Sequence, residues 1–144
     1  MLSSSAGSAQ TTQEQVHRMA HTVMPFEMSE TIHIFRMTES GGVQTVVVRD
    51  ARAADQISFI QQHLRHESER FQRGDYSDPA ALHGTDMPGL SELRAGASSV
   101  EVSYTDLPMG GEIRFETTDL HLLTAIHRWF GAQLSEHGAD ARAE

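Results

Sequence analysis

The chain contains no cysteine. That single absence excludes disulfides, thiolate metal sites, cysteine nucleophiles and iron–sulfur clusters. A basic surface is missing too: the formal charge is −9 at neutral pH, whereas binding to nucleic acid needs concentrated positive charge. No apolar run approaches the length of a membrane span. The opening residues, MLSSSAGSAQTTQEQ, lack the basic start, apolar core and cleavage site of a secretory signal. A cytoplasmic protein without nucleic-acid or membrane partners is therefore expected. The phosphate loop, the dinucleotide fingerprint, the GxSxG elbow and the HExxH motif are all absent.

What remains is an ordinary soluble composition, 38% hydrophobic and 22% charged over 144 residues, enough for one domain with a real core. Nine histidines and seven methionines stand out. They are the soft and borderline metal ligands left once cysteine is gone.

Residues 40–57 read SGGVQTVVVRDARAADQI, and residues 109–126 read MGGEIRFETTDLHLLTAI. Gly41, Gly42, Asp50 and Ile57 recur as Gly110, Gly111, Asp119 and Ile126 at a constant offset of 69 positions, and Phe35 recurs as Tyr104. Each copy reads as hairpin, helix cap and amphipathic helix. Strands are predicted near 30–37, 43–49, 99–105 and 111–117, with long helices over 51–72 and from Asp119 to His137. A hairpin or a single helix cannot bury its apolar face alone. The expected fold is α+β: a duplicated ββα unit forming a four-stranded antiparallel sheet with both long helices on one face. Residues 1–29 read as a flexible or docking arm, 30–138 as the domain and 139–144 as a frayed tail.

Strand alternation puts Thr31, His33, Phe35, Val46 and Val48 on the inner face. The opposite face of the first hairpin, Ile32, Ile34, Val43, Thr45 and Val47, is apolar as well, which calls for a cover: the N-terminal arm or a second copy in a homodimer. On the last helix the expected core stripe is Leu123, Ile126, Phe130 and Leu134, with His127 beside it and His137 on it. On the first, Ile57, Ile60, Leu64 and Phe71 face inward.

Several groups could carry chemistry. His33, His127 and His137 are predicted to converge between sheet and helices, where they could ligate a transition metal or supply one neutral base. His63 and His66 share a helix face but read as a solvated pair. His17 and His21, with Met19, Met24 and Met28, suit either copper handling or simple docking. His83, Asp86 and Met87 sit on a loop fixed by Gly84 and Pro88, where binding groups tend to lie. Asp75, Asp78, Glu67 and Glu69 read as surface charge.

From MPFEMSETIHIF through GGVQTVVV, DPAALHGTDMPGL and HRWFGAQLSEHG, roughly residues 24–138, the chain resembles a group of small uncharacterised bacterial proteins. Some of these carry the label aspartate carbamoyltransferase. The Ser-Thr-Arg-Thr phosphate loop and the two α/β domains of that enzyme have no counterpart in this sequence. The resemblance implies one compact domain, points to His33, His83, Met87, His127 and His137, and implies no reaction.

The reading that follows is a His- and Met-rich protein binding copper, zinc or a non-covalent haem. Its metal ligands would be His33, His127 and His137, with His83 and Met87 as further cofactor contacts. The alternatives are a small metal-independent enzyme using one His as acid or base on a small polar substrate, and a dimeric partner protein without chemistry. The apolar outer face gives a direct test. Replacing Ile34 and Val47 together by Lys should lower the unfolding midpoint or dissociate the dimer in sedimentation; a double variant that behaves as wild type in both would refute the covered face.

Overall fold

The computed structural model describes residues 30–83, 86–137 and 141–143, with side chains except at 81–83, 136–137 and 141. Strands β1 (Thr31–Thr38) and β2 (Gly41–Val48) form the first hairpin, followed by a 3-10 turn over Ala51–Gln56 and helix α1 (Ile57–Gln72). Helices α2 (Ser77–His83) and α3 (Leu90–Ala95) come next, then β3 (Glu101–Leu107), β4 (Gly110–Glu116), α4 (Leu120–His137) and β5 (Ala141–Ala143). The order across the sheet is β3-β4-β2-β1-β5. No described helix is long and apolar enough to cross a membrane.

The fold is α+β, but the sheet is five-stranded and mixed rather than four-stranded and antiparallel. β5 pairs parallel to β1, placing Ala141 beside His33 and Ala143 beside Phe35. The tail expected to fray therefore contributes a strand. The reason is the exposed edge of β1, whose backbone N–H and C=O groups accept any extended segment that reaches them. α4 returns the chain to that edge.

The other three pairings are antiparallel, and their register repeats at the sequence offset. His33 opposes Val46 as Val102 opposes Phe115. The central seam between β2 and β4 mates Gly41 with Glu116 and Val47 with Gly110. Val48 N–H donates to the Met109 carbonyl at 3.0 Å, and the matching Thr117 N–H donates to Ser40 at 2.8 Å.

The repeated glycine pair now has a steric explanation. A Cβ on Gly41 would overlap the Phe115 carbonyl oxygen, and one on Gly110 would overlap that of Val46. The second glycine of each pair makes room for a ring on the inner face: Phe130 over Gly42, Tyr104 over Gly111. One position admits the neighbouring backbone and the next admits an aromatic side chain.

Inward-facing residues lie where strand alternation puts them: Thr31, His33, Phe35, Val46, Val48, Val102, Ile113 and Phe115 are buried. On the opposite face Val43 is buried, and Ile32, Ile34, Thr45 and Val47 are half-buried. The proposed covering arm lies outside the described residues.

Both long helices pack on the inner face, since the Phe115 ring meets Phe71 of α1 at 5.6 Å and Phe130 of α4 at 5.9 Å. They run in opposite directions. On α1, Gln61 donates to the Leu107 carbonyl and Gln72 to that of Val102, so the helix runs against β3. α4 starts near the β1–β2 turn and leads to β5, so it runs along β2, which points the same way as β3.

Two helix expectations need correction. Asp50 caps the 3-10 turn, accepting from Arg52 N–H at 2.9 Å, and Ala53 leaves helical geometry before α1 begins. On α4 the buried set is Leu122, Ala125, Ile126, Trp129, Phe130 and Gln133, while Leu123 and Leu134 are half-buried. The buried face is wider and rotated because α3 packs against this helix as well as the sheet; Gly89, at φ 84°, starts α3 where a Cβ would strike the Ala125 carbonyl.

The seam glycines give a quantitative expectation. Gly41→Ala and Gly110→Ala should each lower unfolding free energy by about 2–4 kcal/mol in urea titrations, because backbone has to move. Gly131→Ala, with the nearest atom 4.0 Å from the new Cβ, should instead gain about 0.5–1 kcal/mol from helix propensity.

Candidate functional site

The sequence-level metal set does not appear as one centre among the described side chains. His33 is buried on the inner face beside Phe35, with ring centroids 6.4 Å apart. His127 has a different task. Its Nε2 lies 2.9 Å from both the Thr38 and Gly41 carbonyl oxygens. Carbonyls only accept, so Nε2 carries the proton and shares it between the two ends of the β1–β2 turn. The imidazole clasps the hairpin to α4. Met87 is buried in the hydrophobic core. The side chains of His83 and His137 lie outside the described ones, as do His17, His21, Met19, Met24 and Met28. His121 is exposed. Among the described residues no group of three or more His, Asp or Glu is arranged to hold a metal ion.

A different cluster emerges on α1 and the start of α2. Glu67 is 5% exposed and sits on the apolar stripe of Ile60, Leu64 and Phe71. The expectation that Glu67 and Asp78 are plain surface charge is therefore corrected for Glu67. Three or four residues separate each member of that stripe, so the helix turns Glu67 into the core with its neighbours. His63, one turn earlier, brings Nε2 to 3.9 Å from Glu67 Oε1, with both side chains largely buried. Across the cluster, Arg70 Nη1 holds Asp78 Oδ2 at 3.2 Å, and Arg70 Nε donates to His66 Nε2 at 3.1 Å. His66 therefore accepts through Nε2 and carries its proton on Nδ1.

These surroundings set the protonation states. Burial, then the hydrogen bond and the charge of Asp78, push the Glu67 carboxyl up to about 9. Burial holds the His63 imidazole down to about 4, against the attraction of Asp78. At neutral pH the site holds a carboxylic acid and a neutral imidazole side by side, an inversion of their usual states. Burial likewise raises the Tyr76 hydroxyl above its ordinary value.

Four buried polar atoms on α1, α4 and the turn before α2 have no hydrogen-bond partner among the described residues: Glu67 Oε2, Tyr76 Oη, Trp129 Nε1 and Gln133 Nε2. Such atoms are few in a folded protein and each calls for an explanation. Gln133 occupies on α4 the kind of position Glu67 occupies on α1: a polar side chain in an apolar stripe.

No family model matches this chain, and no match is found among the curated proteins or the solved structures.

The paired ionisations fix a pH signature. Folded Glu67 keeps a proton that the unfolded chain releases near 4.5, so its contribution is full below that pH and is lost as pH rises toward 9. His63 acts oppositely: its contribution is present above 6.5 and lost as pH falls toward 4. The two slopes oppose each other between 4.5 and 6.5, and above that Glu67 acts alone. Urea unfolding should show stability falling from pH 6.5 to 9 by up to about 1.4 kcal/mol per pH unit. Glu67→Gln should flatten that limb; an unchanged slope would remove Glu67 as its source.

Proposed function

We propose that this chain is a small metal-independent acid–base protein acting on a small polar molecule, with Glu67 as the proton donor. The supporting observation is the buried Glu67 carboxyl, protonated at neutral pH, with neutral His63 Nε2 at 3.9 Å. A buried acid beside a neutral base can give and recover a proton without solvent. Asp78 supplies the neighbouring negative charge that, after burial, keeps Glu67 protonated, and Arg70 fixes Asp78 by ion pairing. His63 would take a proton from the bound molecule and pass it to the ionised Glu67, so that no net proton is consumed.

The metal or haem reading on His33, His127 and His137 has less support, because His127 Nε2 is occupied by two carbonyls and a ligand would have to use Nδ1. The repeated register supports descent from a duplicated ββα unit. The half-buried apolar residues on the outer face of β1 and β2 support a homodimer through the first hairpin or the arm.

Carboxyl and imidazole NMR titrations test the proposal directly. Glu67 should titrate near 9 and His63 near 4, and stabilising hits in a thermal-shift screen of small polar metabolites should vanish in Glu67→Gln. A Glu67 that titrates as an ordinary surface carboxylate would end the proposal. Stoichiometric binding of Cu(II), Zn(II) or haem, lost in His127→Ala, would favour the metal reading instead.

A further inference from the structure

The unpartnered polar atoms are not scattered. The Phe71 and Trp129 rings meet edge to face with centroids 5.7 Å apart, and the Tyr76 ring packs on both, at 4.7 and 5.5 Å. Glu67 lies one turn before Phe71 on α1, and Gln133 one turn after Trp129 on α4. Because the two helices run in opposite directions, those two steps lead the same way from the aromatic contact. Glu67 and Gln133 therefore lie on the same side of the Trp129, Tyr76 and Phe71 contact, each one helical turn from it. All four side chains are at least nine-tenths buried.

Their chemistry is one-sided. An indole N–H only donates, the Gln133 Nε2 donates, and the phenol donates readily. None of these three carries positive charge. A carboxylate or phosphate brought among them would lose its hydration without a cation in return, which is costly. The cation of this region, Arg70, is already engaged by Asp78 and His66. An uncharged carbonyl oxygen suits neutral donors better: it accepts two hydrogen bonds and costs far less to bury.

We infer that the interior bounded by Trp129, Gln133, Tyr76 and Glu67 is a recognition site for a small uncharged carbonyl compound, an amide, ketone or lactone, held by neutral N–H and O–H donors. This deepens the acid–base proposal, on which it rests, by naming the substrate class. Trp129 Nε1 and Gln133 Nε2 would hold the carbonyl oxygen, with the neutral Glu67 carboxyl beside it as a further hydrogen-bond donor.

Trp129 is the chain's single tryptophan, so its indole N–H gives one resolved cross-peak in a nitrogen–proton correlation spectrum. The full chain is titrated with acetamide, butan-2-one and γ-butyrolactone, and separately with sodium acetate and methylammonium chloride. The expected result is a saturable downfield shift of the indole peak with at least one carbonyl probe and none with the ions. Gln133→Leu should weaken that response at least tenfold, and Tyr76→Phe should weaken it less, with the unliganded spectrum reporting that each variant is folded. A shift with acetate but no carbonyl probe would overturn the inference. So would an indole peak unmoved by every probe yet cross-relaxing with water, since buried water would then be the partner. If the probes fail while Glu67 titrates near 9, recognition is wrong and the acid–base proposal survives; an ordinary Glu67 with saturable carbonyl binding gives the reverse.

Discussion

The close approach of β2 and β4 is the contact that the rest of the sheet is arranged around. Gly41 and Gly110 permit it by having no side chain where the opposite carbonyl passes. With that seam closed, the two hairpins present one inner face, and a single aromatic, Phe115, can touch both long helices. Without it, each hairpin would carry a helix too narrow to cover its own apolar side. The hydrophobic effect supplies the driving force, but it is non-directional. The direction comes from the two small residues at the seam.

The strand faces were legible in the sequence because a period of two leaves no ambiguity once one side is buried. His33, Phe35, Val102 and Phe115 all lie where alternation puts them. The helix faces were less so. The real buried face of α4 includes Trp129 and Gln133 because α3 packs on that flank, a contact that no local pattern encodes. β5 was invisible for a related reason: Ala-Arg-Ala has no strand pattern, and its pairing depends on where α4 delivers the chain.

The candidate site was less legible than the strands. Histidines drew attention by number, yet His127 serves as a hairpin clasp through Thr38 and Gly41. Less conspicuous in the sequence are a buried carboxyl and a buried amide. Glu67 fills a gap in the stripe Ile60-Leu64-Phe71, and Gln133 does the same among Ile126 and Phe130. A polar residue at an apolar period is a stronger signal than a cluster of ligand-type residues, because burying it without a partner costs about 1–3 kcal/mol. Asp78, by contrast, joins the site only through the turn after α1, which closes at Gly74 with φ 78°.

β5 also has a consequence in time. It follows the other four described strands, so while the protein is being made β1 lacks its β5 partner after those four have emerged. During that interval β1 is a template for any extended segment nearby, including the same strand of a neighbouring chain. The opposite edge is better guarded, since Gln61 and Gln72 of α1 engage β3 carbonyls before synthesis ends. Three residues, Ala141–Ala143, thus act less as a stabiliser of the finished sheet than as the latch that ends its vulnerability.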